Sequence, residues 1–180
     1  MGSKRVGLAR VQALIENLKR ELNLEGTQIN GATTKESVEV LNTVGTVATP
    51  TKSLTAADSG KTFFVDISTV SIVATLPAPE AGLHYKFVLS VASDNEATKD
   101  FLLNTHADST DINGSVIVNG AHVEVTNATS AVALDSTTGV ATVGDFFEVD
   151  CDGTDWYIRG VVKTASAVVI NDAKGGFTPA

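Results

Sequence analysis

The chain has 180 residues, 43% of them hydrophobic, and a formal net charge of −8. That length is enough for one sizeable core, and that composition excludes wholesale disorder. Residues 1–24 carry +3 (five basic, two acidic) and the remainder −11 (eight basic, nineteen acidic). An acidic body does not attract nucleic acid, and no apolar run approaches the roughly 20 residues that cross a bilayer, so neither is an expected partner.

The first predicted element is an α-helix over residues 4–24, with Ser3 as a suitable N-cap and Gly26 just past the last apolar position. Its apolar residues recur at spacings of 3, 4, 3 and 4, the a/d pattern of a coiled coil. We call these five residues the helical seam: Leu8, Val11, Ile15, Leu18 and Leu22. A seam this short is not stable alone in water, so we expect it to bind a partner surface.

The same segment begins with the basic residues Lys4, Arg5 and Arg10. These side chains either contact an acidic protein surface or phosphate, or form the solvated side of the helix. We retain them as candidate partner-binding residues.

Residues 25–53 are rich in Thr, Asn, Gly and Val and predict an extended connector, with a weak signal for a helical turn over 35–41. The predicted organisation is therefore a docking arm over residues 1–53 and a β-body over residues 54–180.

From Leu54 onward the pattern has a period of two, which predicts strands. Phe63, Val65 and Ile67 lie on one side of the first strand, and Tyr85, Phe87 and Leu89 on one side of a later strand. The predicted strands are these: 62–67, 70–76, 85–91, 116–118, 121–126, 131–134, 140–143, 145–151, 156–163 and 167–170. The predicted breakers that separate the strands include Asp58-Ser-Gly, Asn113-Gly, Asn119-Gly and Asp152-Gly.

Many short strands at this spacing favour a mainly β fold, an antiparallel β-sandwich or jelly-roll-like body. No alternation of strand and helix follows, which disfavours a Rossmann or α/β-barrel fold.

The chemistry-bearing residues form no catalytic or metal-binding pattern. His84, His106 and His122 lack metal-ligand spacing, and no Ser lies in a nucleophile elbow. Cys151 lies between Asp150 and Asp152, whose carboxylates disfavour its thiolate. We expect no enzyme activity, no cofactor and no metal.

Two acidic clusters remain, Asp108 with Asp111 and Asp150 with Asp152 and Asp155. Their spacing matches no EF-hand loop, and we interpret them as turn residues that accept local backbone N–H groups.

Trp156 begins a predicted strand in which Ile158 and Val162 share its side, while Tyr157, Arg159 and Val161 share the other. A lone Trp at the start of a strand is typically a core anchor.

Three segments resemble a β-domain of tailed-bacteriophage virion proteins, which include head decoration (cement) proteins and fibre modules. They are Leu54-Thr-Ala-Ala-Asp-Ser-Gly-Lys-Thr-Phe-Phe-Val-Asp, Thr75-Leu-Pro-Ala-Pro-Glu-Ala-Gly-Leu-His-Tyr-Lys-Phe-Val and Gly144-Asp-Phe-Phe-Glu-Val-Asp-Cys-Asp-Gly-Thr-Asp-Trp-Tyr. The resemblance covers residues 54–163 and implies a non-enzymatic β-fold, usually trimeric, displayed on a virion.

The first hypothesis is therefore a capsid decoration protein, synthesised in the host cytoplasm, that forms a homotrimer on the capsid exterior. Its arm clamps neighbouring major capsid subunits, with the seam bound either to its own trimer mates or to the shell. The alternative is a head or tail fibre module that binds host-surface glycans. A sugar-active enzyme is disfavoured.

Overall fold

The computed structural model divides the chain into two compact units, Met1–Lys35 and Glu36–Ala180. It describes residues 37–42, 51–92, 99–107, 111–125, 131–134, 141–164 and 168–171. The predicted helix over residues 4–24 lies outside the described residues and stays a prediction.

The described residues form twelve strands and one short 3₁₀ turn (Ala56–Asp58). The strands are β1 (Val38–Leu41), β2 (Thr51–Ser53), β3 (Thr62–Asp66), β4 (Ile72–Thr75), β5 (His84–Val91), β6 (Phe101–Asn104), β7 (Ile112–Val118), β8 (Ala121–Val125), β9 (Ala131–Leu134), β10 (Phe146–Cys151), β11 (Trp156–Val162) and β12 (Val168–Asn171). The mainly β prediction is confirmed for this part of the chain.

The strands form two sheets. The seven-stranded sheet has the order β1-β3-β5-β10-β11-β7-β8, and the five-stranded sheet has the order β12-β9-β6-β4-β2. Strands β1 and β2, which precede Leu54, thus belong to these sheets together with the strands of the predicted body.

The first six strands alternate between the sheets, so the chain crosses from one layer to the other after each strand. Within each layer these strands pair in parallel: β1 with β3 and β3 with β5, β2 with β4 and β4 with β6. The later strands add the antiparallel hairpins β7–β8 and β10–β11.

The predicted antiparallel pairing is correct for only half of the strand pairs, because five of the ten pairs between described residues are parallel. Hydrophobic alternation reveals which side of a strand is buried but not the direction of its neighbour. When a connection crosses to the other layer instead of turning back, the next strand in the first layer runs in the original direction.

The two sheets share one hydrophobic core, which makes the body β-sandwich-like. Phe87 of β5 contacts Phe101 of β6 across the layers, with 5.2 Å between ring centroids, and Phe63 of β3 stacks on Phe87 at 5.3 Å. All three rings are fully buried. Each such side chain contributes about 1.5–3 kcal/mol of burial free energy.

Several predicted elements differ from the structure. The helical turn over 35–41 is wrong, since Val38–Leu41 is a strand. The strand predicted over 140–143 is wrong at residues 141–143, which lie outside any strand, and Val143 and Gly144 form a turn. Asn113-Gly does not break a strand but lies inside β7, where Gly114 has a φ of +129°. Asn119-Gly is the β7–β8 turn as predicted, with positive φ at both residues.

Candidate interaction face

The three segments that carry the family resemblance come together in one sheet. The first leads into β3, the second into β5, and the third forms the β10–β11 hairpin. These strands are four consecutive neighbours, β3-β5-β10-β11, in the seven-stranded sheet. Segments that are distant in sequence therefore form one continuous surface.

Alternate residues of these strands point to the core and to solvent. In β11, Trp156, Ile158 and Val162 are buried, while Tyr157 and Val161 are exposed, as predicted. Trp156 contacts Tyr85 at 5.7 Å between ring centroids, so its predicted role as a core anchor is confirmed. We call the solvent-facing side of the seven-stranded sheet the outer face.

A row of charged residues crosses the outer face, and we call Lys86, Glu148, Asp150 and Arg159 the charged row. Glu148 lies opposite Lys86 on one side and Arg159 on the other. Lys86 Nζ is 2.9 Å from Glu148 Oε1, Arg159 Nε is 2.8 Å from Glu148 Oε2, and Arg159 Nη1 is 3.0 Å from Asp150 Oδ2.

These contacts fix the charges of the row. The hydrogen bond from Arg159, and next that from Lys86, hold the pKa of Glu148 below its usual value. The hydrogen bond to Glu148, and next the charge of Asp150, raise the pKa of Arg159. Both groups are therefore ionised at neutral pH.

Beside the charged row lies a polar corner around Tyr157, whose side chain is 44% exposed. Its hydroxyl donates to Asp152 Oδ2 at 3.0 Å, and this bond raises the pKa of Tyr157. Asp152 also accepts the backbone N–H groups of Asp155 and Thr154 at 2.9 and 2.8 Å. These two bonds, Asp155 first, lower the pKa of Asp152. Asp152 is thus the turn residue that its sequence context predicts.

A second row on the outer face is apolar, and we call it the apolar stripe. Strand register places each member directly opposite the next: Val40 and Phe64, Phe64 and Val88, Val88 and Phe146, Phe146 and Val161, Val161 and Ile117. Side chains opposite each other on adjacent strands share one side of a sheet. The stripe therefore runs across six strands without a polar interruption.

A separate ion cluster connects β1, β2 and the segment that leads into β3. Lys52 binds Glu39 at 2.7 Å, and Lys61 binds both Glu39 at 3.4 Å and Asp58 at 2.6 Å. Thr55 donates its backbone N–H and its hydroxyl to Asp58 Oδ2 at 3.1 and 2.9 Å. Burial opposes ionisation of Asp58, but the hydrogen bonds from Lys61 and Thr55 prevail and lower its pKa to about 2.

Asp145 is fully buried and accepts three hydrogen bonds before β10. Its carboxylate binds the backbone N–H of Thr142 at 2.7 Å, the Thr142 hydroxyl at 3.1 Å and the N–H of Lys163 at 3.1 Å. The same Thr-x-x-Asp arrangement occurs at Thr55 and Asp58. Both buried aspartates therefore stabilise turns that precede strands, β3 for Asp58 and β10 for Asp145.

The candidate site residues from the sequence all lie outside the described residues. These are the helical seam, Leu8, Val11, Ile15, Leu18 and Leu22, and the basic residues Lys4, Arg5 and Arg10. Their role in partner binding stays a prediction. Asp108 is also outside the described ranges.

The histidines and Cys151 are dispersed. His84 Nδ1 is 3.6 Å from Asp150 Oδ1, beyond hydrogen-bonding distance, while His106 and His122 are exposed. Cys151 is buried on the core side of β10. Within the described ranges, no three His, Cys, Asp or Glu side chains are grouped as metal ligands.

Sequence reasoning missed the apolar stripe. The outward residues Phe64, Val88 and Phe146 were visible as positions that alternate with the core. Their alignment depends on strand register, parallel between β3 and β5 and antiparallel between β5 and β10, which no local pattern reports. Only the outward apolar residues themselves gave a signal.

No protein-family model matches the chain, and no curated protein is similar to it. Within the described residues, no helix has the length and apolar character needed to span a membrane.

Proposed function

We propose that the chain is a structural protein of a bacteriophage virion, a capsid decoration or cement protein that acts as a homotrimer on the capsid exterior. The observation that carries this proposal is the assembly of the three family-like segments into the adjacent strands β3, β5, β10 and β11. If the three segments lay on unrelated surfaces, their resemblance would reflect only common turn sequences. Instead, they form neighbouring strands of one sheet.

The electrostatics of the outer face support a binding surface in preference to an acid–base site. General acid–base catalysis needs a group whose pKa lies near the working pH. On this face the pKa shifts of Glu148 and Asp152 are downward and those of Tyr157 and Arg159 are upward. Each shift moves the pKa of the group further from pH 7, so the group keeps its ordinary charge state at neutral pH.

Charge is divided between the predicted helical segment and the remainder of the chain, +3 for residues 1–24 and −11 for the rest. In this proposal the seam and Lys4, Arg5 and Arg10 bind the major capsid protein, while the body remains on the exterior. Several weak attachments on one trimer raise avidity without a large single contact.

The test adds purified protein to capsids that lack it and measures occupancy. Deletion of residues 1–24 is expected to abolish binding. Ile15→Asp places a charge in the seam and should lower affinity at least ~10-fold, which is about 1.4 kcal/mol. Asn17→Asp adds the same charge outside the seam and is the matched control, with an expected change below about 3-fold. Undiminished occupancy after the deletion would exclude the clamp.

A second candidate, a fibre module that binds host glycans, is favoured by one observation. Tyr157 is exposed beside Asp152 and Arg159, and an aromatic ring next to hydrogen-bonding groups suits a sugar. A glycan array with the full chain separates the candidates. Sugar binding that is lost in Tyr157→Ala supports the fibre module, and an array without signal removes it.

A further inference from the structure

The apolar stripe is an exposed apolar row on the outer face. Three of its members are 36–56% exposed and three are half-buried: Val40, Ile117 and Val161, and Phe64, Val88 and Phe146. The stripe crosses five strand-to-strand spacings, roughly 24 Å at ~4.8 Å each. A continuous exposed apolar row of this length is typical of a surface that another protein segment covers.

The charge on the outer face selects the kind of segment. The strands of this face carry two cations and four anions, a net charge of −2 with neutral histidines: Lys86 and Arg159, and Asp66, Glu124, Glu148 and Asp150. Both cations are already paired with Glu148 and Asp150 in the charged row. The anions that remain, Asp66 and Glu124, are at ion-pair distance from no cation of the described ranges. A basic partner therefore suits this face.

These two anions flank opposite ends of the stripe. Asp66 lies two residues after Phe64 on β3, where it accepts two hydrogen bonds from Ser68. Glu124 is exposed on β8, the strand beside Ile117, and lies opposite Ser115. Strands β3 and β8 are five spacings apart in the sheet, so the two carboxylates are separated by roughly 24 Å along the stripe.

Residues 1–24 have the complementary properties. The helix predicted there lies outside the described residues, and at 1.5 Å per residue its seam, from Leu8 to Leu22, is ~21 Å long. The segment carries +3, with basic residues at both ends of the seam: Lys4 and Arg5, and Lys19 and Arg20. A helix with this seam against the stripe brings cations to both free anions. Length, apolar character and charge all match.

A helix donated by a second copy also fits a trimer. Seam and stripe are different surfaces, so their contact is heterologous and closes into a ring of three in which every seam and every stripe is used. The 15 residues between Leu22 and Val38 reach up to ~50 Å when extended, which is enough to pass to a neighbour. A seam on the stripe of its own chain would add no contact between copies.

We propose that, in the free homotrimer, the predicted helix of each copy lies across the apolar stripe of the next copy, with its seam against the stripe. This inference rests on the proposed homotrimer and gives the seam a partner before a capsid is present. Because a seam this short is unstable alone in water, the stripe covers it until the major capsid protein takes its place. Capsid and stripe therefore compete for the seam.

The test is disulfide trapping between two variants of the full chain. Chains with Ile15→Cys and chains with Val161→Cys are mixed in urea, refolded together and oxidised, so that a bond between positions 15 and 161 forms only between copies. Peptide mapping identifies this bond. The native Cys151 is buried, and the wild-type chain gives the background.

Two mixtures are the matched controls. Asn17→Cys with Val161→Cys moves the first thiol out of the seam, and Ile15→Cys with Val143→Cys moves the second to a 55% exposed position off the stripe. We expect at least ~10-fold more of the bond between positions 15 and 161 than of the bond in either control, because the contact raises the effective concentration of the two thiols.

Sedimentation velocity on the same samples separates the outcomes. A trimeric sample with no more of the bond than the controls overturns the inference but leaves the homotrimer intact. A bond that forms only within single chains of the double variant Ile15→Cys/Val161→Cys places the seam on its own body and also overturns the inference. A wild-type chain that stays monomeric at every concentration overturns the homotrimer, and the inference with it.

Capsids that lack the protein, added before oxidation, test the competition. The yield of the bond is expected to fall at least ~3-fold while the protein occupies the capsid. An unchanged yield on occupied capsids overturns the exchange of the stripe for the capsid protein. A strong bond together with no capsid occupancy supports the contact between copies and overturns the proposed decoration function instead.

Discussion

Two buried aspartates show how single residues hold this fold. Asp58 and Asp145 each accept the N–H and hydroxyl of a threonine three positions earlier, and each acquires a further donor, Lys61 or the N–H of Lys163. Loss of either carboxylate removes three hydrogen bonds at once, which costs more than the loss of one. Sequence reasoning recognised the Asp58 turn but not that its carboxylate is buried.

Asp58 gives the fold an acid dependence with a definite sign. Its pKa falls from 3.8 to about 2 on folding, so its ionised form stabilises the native state above about pH 4, and this stabilisation is lost as the pH falls towards 2. The shift corresponds to about 2 kcal/mol. Urea unfolding at pH 7, 4, 3 and 2 should show that Asp58→Asn is less stable than wild type at pH 7 and that the difference shrinks towards pH 2.

Glu124→Gln, at an exposed carboxylate on β8, is the control and should follow the wild-type profile. A difference between Asp58→Asn and wild type that is constant from pH 7 to pH 2 would contradict the assignment to this carboxylate.

At the scale of elements, most of the strands that sequence could locate have one side in the core, and β4 and β9 were located although they are buried on both sides. β11 alternates cleanly because Trp156, Ile158 and Val162 face inward and Arg159 faces out. β6 was missed because Phe101 and Leu103 enter the main core while Leu102 is buried on the other side, so no alternation exists. The sequence alone could not predict strand register or strand direction, and it therefore could not predict the apolar stripe.

The hairpin β10–β11 depends on one glycine. Gly160 lies opposite Phe147, and a Cβ on it would meet the Phe146 carbonyl oxygen at 2.3 Å and Phe147 Cδ1 at 2.8 Å. Gly160→Ala is therefore expected to cost roughly 2–4 kcal/mol in chemical unfolding, because backbone and a buried ring must move. Val161→Ala, the next residue and exposed, should cost less than about 1 kcal/mol. Equal costs would show that the strand accommodates the methyl group.

At the scale of the molecule, the described residues of the main core all lie within residues 41–162. We expect this core to form without residues 1–35. A chain that begins at Glu36 is expected to keep its β-type circular dichroism spectrum and a melting temperature within about 4 °C of the full chain. A collapse of the spectrum would show that the first unit supplies part of the folding free energy. The capsid-binding test would then have to use the point variants instead of the deletion.

The alternating path of the first six strands has a consequence for aggregation. Among the described strands it leaves β1 and β2 at the edges of their sheets, and the backbone groups of an edge strand can pair with strands from other molecules. Glu39 of β1 and Lys52 of β2 bind each other at 2.7 Å between these two edges. A molecule that continued either sheet would have to desolvate this ion pair, so we expect the pair to disfavour the addition of further strands at these edges.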